Sequence, residues 1–174
     1  PPRSAQVLPI DACPVGHPAL APALSSLLPV PSGVAHLELR TDGSRVVAAF
    51  EAHNGGHGDV RAWLQSLDEA AFAGADIALD GKRIRGSCHV EITAGGITHH
   101  LSPDTFYQVN LPINELLVDH VRTLVLERSP SHVLDAFAGA GNLSMPLAQA
   151  GVALTQLEQH SSAVRDAKAT AKRH

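Results

Sequence analysis

The stretch that most constrains the fold of this chain is residues 132–142, which read His-Val-Leu-Asp-Ala-Phe-Ala-Gly-Ala-Gly-Asn. Its apolar start predicts a buried β-strand, and Gly139 and Gly141 predict a tight turn that no side chain obstructs. A helix is predicted to begin near Asn142. A strand, a glycine turn and a helix N-terminus in this order form a cradle that favours a nucleotide-type ligand.

Two acidic residues near the cradle indicate which ligand it binds. Asp135 precedes the glycines and suits a ligand with a cationic amino-acid end, such as S-adenosylmethionine. Glu158 ends a second apolar run, where a carboxylate accepts hydrogen bonds from both ribose hydroxyls. The dinucleotide fingerprint instead requires a third Gly or Ala where this chain has Ser144. We expect S-adenosylmethionine as cofactor. A dinucleotide, or a glycine turn that serves only helix–strand packing, is the alternative.

Composition narrows the class of protein. With 174 residues, a net charge of −4 and 44% hydrophobic residues, the chain suits a soluble protein of one or two small domains. Aromatic residues make up only 3%, which argues against an aromatic stacking platform for single strands. No apolar run has the length of about 18 residues that a transmembrane helix needs, and the first residues do not form a signal peptide. We expect a cytoplasmic protein that does not contact a membrane.

The pattern of the chain changes near residue 102. Residues 1–101 predict a small antiparallel domain with a short helix capped by Asp59. Its hairpin turns are predicted at Asp42-Gly43, Asp80-Gly81 and Gly95-Gly96. Residues 102–174 predict an α/β unit, in which a helix capped by Asn110 precedes the cradle. The predicted fold class is therefore α+β: a small antiparallel α/β central domain followed by an incomplete Rossmann-like domain.

A second motif, residues 101–110, reads Leu-Ser-Pro-Asp-Thr-Phe-Tyr-Gln-Val-Asn. With it the chain resembles the RNA 5-methyluridine methyltransferases. That family has Phe-x-Gln-x-Asn before a long helix, then hydrophobic-Leu-Asp-x-Phe-x-Gly-x-Gly-Asn, then a Glu after the next strand. The matching residues are Phe106, Gln108, Asn110, Asp135, Phe137, Gly139, Gly141, Asn142 and Glu158. The resemblance is close over residues 101–160 and extends weakly to Ile10-Asp-Ala-Cys-Pro-Val15.

The resemblance implies a class I methyltransferase that uses S-adenosylmethionine to form 5-methyluridine in ribosomal or transfer RNA. It places Gln108, Phe137, Asn142 and Glu158 at the cofactor, beside Asp135, Gly139 and Gly141 of the cradle. Gln108 is also expected to face the substrate base, and Phe106 to stack on it. Simpler roles stay open: Phe106 and Phe137 as core residues, Asn110 as a helix cap only, and Gln108 as a brace of its own loop.

The resemblance also implies residues that this chain does not contain. The family attacks carbon 6 of uracil with a cysteine thiolate, methylates carbon 5 and removes the carbon 5 proton with a base. Those groups lie near an Asp-Pro-Pro motif and a Ser-Cys-Asn segment, and neither occurs here. We expect the nucleophile and the base beyond His174, and we expect residues 1–174 to be part of a larger protein and inactive alone.

The two cysteines and the histidines give little support for a metal site. Cys88 is expected to be a small core residue, and two cysteines make no disulfide framework. In the ribosomal-RNA branch of the family, a cysteine in a similar Cys-Pro context holds an iron–sulfur cluster. Cys13 is therefore a candidate cluster ligand in the full-length protein only, and otherwise a structural or free thiol. His53 and His57, like His99-His100, lack a convincing ligand spacing.

RNA is the partner implied by the resemblance rather than by charge. The basic clusters, Lys82-Arg83-Arg85 and Lys168, Lys172 and Arg173, are typical of solvated faces. Three functions stay open: an RNA uridine methyltransferase, a class I methyltransferase with another substrate, and a non-enzymatic module that binds RNA or a partner. The oligomeric state is left open.

Overall fold

The structure is a computed structural model that describes residues 13–174. The weakly matching residues Ile10 to Ala12 lie outside that range. A short helix opens the described part, followed by a sheet and one longer helix: α1 (Ala21–Ser25), β1 (Val34–Thr41), β2 (Val46–Ala52), α2 (His57–Ser66), β3 (Asp76–Leu79) and β4 (Lys82–Arg85). The next elements are β5 (Val90–Ala94), β6 (Ile97–Leu101), α3 (Leu111–Arg128), β7 (Val133–Ala136), α4 (Ser144–Gln149), β8 (Leu154–Leu157) and α5 (Ser161–Arg173).

The first sheet has the strand order β1-β2-β3-β4 and is mixed rather than wholly antiparallel as predicted. The hairpins β1–β2 and β3–β4 form at the predicted turns, but β2 and β3 pair in parallel, with Val47 opposite Asp76. The reason is α2, which carries the chain from the end of β2 back to the start of β3, so that both strands run in the same direction.

The core of this sheet is aromatic. Phe50 of β2 meets Trp63 of α2 and Phe72 edge to face, with ring centroids 5.8 and 5.5 Å apart. Val60 and Leu64 of α2 are buried in the same cluster, as their spacing predicts. Asp59 lies in the first turn of α2 and is not its cap: the helix begins two residues before it, with Gly56 in the cap position.

The β5–β6 hairpin joins the sheet to the C-terminal elements. One face is buried at every second residue, Val90, Ile92 and Ala94 on β5 and Ile97, His99 and Leu101 on β6. This hairpin packs against α3 and α5. At its turn Gly95 is required, because an added Cβ would lie 2.6 Å from Val118 Cγ1 and 2.8 Å from Pro146 Cγ.

Helix α3 begins as the sequence predicts. Asn110 Oδ1 accepts a hydrogen bond of 3.2 Å from the Ile113 N–H, which confirms Asn110 as the helix cap. Ser129 ends the helix in the left-handed region. Among the described residues no helix is long and apolar enough to cross a membrane.

Strands β7 and β8 pair in parallel, but β7 is not the buried strand that the sequence predicts. Leu134 is 59% exposed, and Leu157 of β8 is 54% exposed. Their face of the two-stranded sheet is not covered by any element between residues 13 and 174. The sequence predicted burial from apolar character, whereas burial depends on what packs against the strand.

Candidate functional site

A cavity of about 150 Å³ lies where the turn after β7, the loop before α3 and the β5–β6 hairpin meet. Six of the eight predicted site residues line it: Phe106, Gln108, Asp135, Phe137, Gly139 and Asn142. Gly141 and Glu158 do not belong to the lining. Two motifs that are separated in the sequence therefore converge on one cavity, and the hairpin adds His99 to it.

The two glycines of the cradle have different roles. Both have positive φ, 55° at Gly139 and 87° at Gly141. A Cβ at Gly141 would lie 2.6 Å from Gln156 Nε2 and 2.8 Å from Met145 Cγ, so this glycine permits close packing of α4 on β8. A Cβ at Gly139 would meet no atom within 4 Å, and Gly139 faces the cavity. The alternative of a glycine that serves only helix–strand packing therefore fits Gly141. At Gly139, the absence of a side chain leaves the backbone of the turn accessible to a ligand.

Phe137 is not a core residue. It is 89% exposed and has a φ of 62°, a conformation that a bulky side chain rarely adopts. Strain of this kind persists where the surrounding structure imposes it, and it clusters at functional sites. Phe137 lines the cavity, and its contact with a cofactor stays a prediction.

Glu158 is held by backbone N–H groups just after β8. Its Oε1 accepts a hydrogen bond of 2.7 Å from the His160 N–H, and its Oε2 accepts one of 2.8 Å from the Gly139 N–H. These donors hold the pKa of the Glu158 carboxyl below its usual value, so the group is ionised at neutral pH. A carboxylate has about four lone-pair sites. Each oxygen of Glu158 therefore retains capacity to accept a further hydrogen bond from a ligand.

Asp135 lines the cavity and has one buried carboxylate oxygen. Its Oδ2 is inaccessible to solvent and accepts no hydrogen bond from the described residues. A buried carboxylate oxygen without a partner is costly, because the group has lost its water without gaining a donor. A cationic or N–H-bearing ligand group in the cavity would supply that donor.

Asn142 is fixed by a residue that the sequence analysis missed. Asn114 of α3 is buried and donates to Asn142 Oδ1 at 3.0 Å, while Asn142 Nδ2 donates to Asn114 Oδ1 at 2.8 Å. The sequence signal for this contact was an asparagine on the buried side of a helix, because a buried amide needs a hydrogen-bond partner. The reciprocal pair fixes the end of the glycine turn against α3.

The loop before α3 is held from both sides. Thr105 and Ser102 donate hydrogen bonds to the buried carboxylate of Asp166 on α5, and Arg40 of β1 donates one of 2.6 Å to the Thr105 carbonyl. Gln108 is exposed, and its side chain makes no hydrogen bond to the described residues. The bracing is thus done by its neighbours, which argues against Gln108 as the brace of its own loop. Phe106 is 72% exposed and is not a core residue.

The structure gives no sign of a metal site at the two cysteines, as far as the described residues go. Cys88 is buried and donates to the Ile77 carbonyl at 3.0 Å, and burial raises its pKa, so it is a core residue as predicted. Cys13 is a free, half-buried thiol. No group of three or more metal-ligating side chains occurs in the part of the chain that the structure describes.

Arg85, of the basic cluster that was predicted to be a solvated face, donates hydrogen bonds to the carbonyls of Asp68 and Ala71, so it braces the chain before β3.

Comparisons with known proteins identify relatives of this chain among RNA methyltransferases. No protein-family model matches the chain. It is 44% identical over 63 residues, 36% of this chain and 15% of the relative, to 23S rRNA (uracil(1939)-C(5))-methyltransferase RlmD of Dichelobacter nodosus. It is 30% identical over 181 residues to the enzyme of the same name from Halomonas elongata, covering 93% of this chain and 38% of the relative.

The fold is also found among solved structures. The Pyrococcus abyssi tRNA (uracil-54, C5)-methyltransferase, in complex with S-adenosyl-L-homocysteine, superposes with a TM-score of 0.73 at 16% identity. The match covers 97% of this chain and 47% of that chain. The chain therefore spans less than half the length of each of these three proteins.

Proposed function

This chain belongs to the family of RNA (uracil-C5)-methyltransferases, and we propose that it is the part of such an enzyme that binds S-adenosylmethionine and receives the target uridine. The observation that carries the proposal is the convergence of Gln108, Asp135 and Gly139 on one cavity, together with the buried, unpartnered carboxylate oxygen of Asp135. The reaction is the methylation of carbon 5 of uridine in RNA.

The cofactor fits the donor and acceptor groups of this chain. The orphaned Asp135 oxygen would accept from the α-ammonium group, and the ionised Glu158 carboxylate would accept from the ribose hydroxyls. The uncovered backbone at Gly139 would let the ligand approach, and the Asn114–Asn142 pair holds the turn that carries these groups. S-adenosylmethionine, when bound, supplies an electrophilic methyl group.

The substrate side of the cavity is formed by Phe106 and Gln108. A carboxamide has two donors and an acceptor, which match the carbonyl and imide groups of uracil, and a neighbouring ring can stack on a base taken out of its helix. Both side chains are exposed and line the cavity, on a backbone fixed from either side. We propose ribosomal RNA as the favoured substrate because the relatives at 44% and 30% identity are 23S rRNA enzymes.

The nucleophile and the base lie outside these residues in this proposal. Cys88 is buried, its thiol is hydrogen-bonded to backbone carbonyls, and its raised pKa disfavours the thiolate. Cys13 as an iron–sulfur ligand of the full-length protein, the division of the chain near residue 102 and a cytoplasmic location remain predictions.

Asp135→Asn in the full-length protein tests the proposal. Binding of S-adenosylhomocysteine is measured by calorimetry, and 5-methyluridine formed in ribosomal RNA is measured by mass spectrometry. The wild type should bind and methylate, whereas the variant should lose about tenfold or more in affinity, because a neutral amide replaces the partner of a cationic group. Asp119→Asn on the exposed side of α3 is the matched control and should behave as the wild type. Equal binding by Asp135→Asn and the wild type would refute the cofactor assignment.

A further inference from the structure

His99 is a buried polar residue that neither the family motifs nor the proposed chemistry uses. It lies on β6 between Ile97 and Leu101, which share its face, and it is 2% exposed. The backbone of Ala140 lies near the ring, but neither ring nitrogen makes a hydrogen bond of acceptable geometry within the described residues. The ring lines the same cavity as Asp135 and Gln108.

An apolar residue would serve β6 better at this position. The alternation of the strand calls for an apolar side chain, and an imidazole leaves two buried nitrogens without partners. Unsatisfied buried groups are rare in folded proteins and call for an explanation. A bound ligand that pairs with the ring supplies that explanation.

The protonation state of His99 decides what it offers a ligand. Burial lowers the pKa of the His99 imidazole to about 4, although the nearby backbone of Ala140 partly opposes the shift. The ring is therefore neutral at pH 7 and offers one N–H donor and one acceptor nitrogen.

The other residues of the lining show which charged group of a bound cofactor would still need a hydrogen-bond partner. No Lys or Arg between residues 13 and 174 lines the cavity. The Asn142 amide is paired with Asn114, and the Tyr107 hydroxyl donates to the Thr41 carbonyl at 3.3 Å. Asp135 accounts for a ligand ammonium, but a ligand carboxylate next to it would need a donor. Two donors of the lining are free, the Gln108 carboxamide and the His99 N–H. Because Gln108 is assigned to the substrate base, the His99 N–H is the donor left for the carboxylate.

We propose that His99 binds the amino-acid end of S-adenosylmethionine by donating a hydrogen bond to its carboxylate, while Asp135 accepts from the ammonium. This inference rests on the proposed function. Glu158, the expected ribose ligand, lies outside the cavity lining, which agrees with a cavity that takes the amino-acid end rather than the nucleoside.

The test uses two ligands on the full-length protein. S-adenosylhomocysteine carries the amino-acid end, and 5′-methylthioadenosine keeps the nucleoside and the thioether but lacks it. His99→Leu should weaken binding of the first by about tenfold or more and of the second by less than about twofold, because only the first loses a hydrogen bond to a charged group. His99→Gln, which keeps an N–H donor, should recover part of the affinity for S-adenosylhomocysteine.

His100→Leu is the matched control. This neighbour faces away from the buried side and lies 3.3 Å from Glu91 Oε1, so its loss should change neither affinity. His99→Leu should melt no lower than the wild type, since it removes an unpaired buried group. If it does not fold, His99→Met, whose flexible side chain adapts to irregular space, is measured in the same way.

The outcomes separate the two proposals. Equal losses for both ligands in the His99 variants, or no loss for either, would overturn the role of His99 while the proposed function stands. A wild type that binds neither ligand would overturn the proposed function, and the role of His99 with it.

Discussion

Thr105 and Asp166 join the loop before α3 to helix α5: the Thr105 hydroxyl donates to Asp166 Oδ2 across 2.6 Å, and both residues are buried. Ser102 donates to the same carboxylate from its backbone N–H and from its hydroxyl, each at 2.8 Å. Phe106 and Gln108 follow directly on this anchored segment. The presentation of the proposed base-binding side chains therefore depends on a helix that begins more than fifty residues later.

Asp166→Ala should destabilise the protein by about 2–4 kcal/mol, because it leaves buried donors at Ser102 and Thr105 without an acceptor. Urea denaturation of the full-length protein measures the free energy of unfolding. Asp119→Ala, an exposed carboxylate on α3, is the control and should change that energy by less than about 0.5 kcal/mol. An unchanged denaturation curve for Asp166→Ala would show that the network does not stabilise the fold.

Gly141→Ala should destabilise the fold more than Gly139→Ala. The left-handed conformation costs about 1–2 kcal/mol at either position, but only at Gly141 does the new methyl group collide with Gln156 and Met145. Gly139→Ala should instead weaken binding of S-adenosylhomocysteine, because its methyl group points into the open cradle. Thermal denaturation and calorimetry on both variants check this ordering, and equal losses of stability would contradict it.

Glu158→Ala should weaken S-adenosylhomocysteine binding by about 10- to 100-fold, the range for lost hydrogen bonds to a charged group. Because the His160 and Gly139 N–H groups keep the Glu158 pKa below its usual value, the carboxylate stays ionised as the pH falls from 8 to 5. The contribution of Glu158 to the affinity for S-adenosylhomocysteine should therefore not change over that pH range. Calorimetry measures both, with exposed Gln159→Ala as the control. Equal binding by Glu158→Ala and the wild type would rule out the ribose contact.

Gln108→Ala should reduce methylation of RNA far more than it reduces stability, because the side chain is exposed and makes no hydrogen bond to the described residues. Methyl transfer to ribosomal RNA and the melting temperature are measured on the same preparation. Val109→Ala, an exposed neighbour, is the control and should retain activity. A Gln108→Ala protein that melts several degrees lower and loses activity only in proportion would support a bracing role instead.

His99 should make stability depend on pH below neutrality. Its pKa falls from 6.5 to about 4 on folding, so the unfolded chain takes up the proton first and acid favours unfolding. The effect is absent above about pH 6.5 and grows as the pH falls towards 4, up to about 3 kcal/mol.

His99→Leu should flatten this dependence, as judged by urea denaturation of the ligand-free protein at pH 7.5 and pH 5. Asp135, which lines the same cavity, and His174, whose charge lowers the His99 pKa further, are present in both proteins, so their contributions cancel in the comparison. Parallel pH profiles for the two proteins would contradict the prediction.

Short sequence signals correctly predicted several turns and one helix start. The Asp-Gly and Gly-Gly turns predicted the hairpins, and Asn110 with the following Pro predicted the start of α3. Each of these signals acts within a few residues, through backbone conformations that few residue types allow and through hydrogen bonds to the nearest N–H groups. The family motifs likewise identified the cradle and the loop that meet at the cavity. The α+β class is confirmed by the shared fold with the archaeal methyltransferase.

Tertiary structure alone decided which side chains are buried, paired or exposed. The exposure of Leu134, the Asn114–Asn142 pair and the unpartnered ring of His99 all depend on elements that pack together from distant parts of the chain. Ser102 and its acceptor Asp166 are 64 residues apart in the sequence, and the residues that surround either of them in the sequence do not predict the contact. Burial and hydrogen bonding are properties of the assembled packing, so a sequence pattern names candidate residues but does not show whether a second element covers or pairs them.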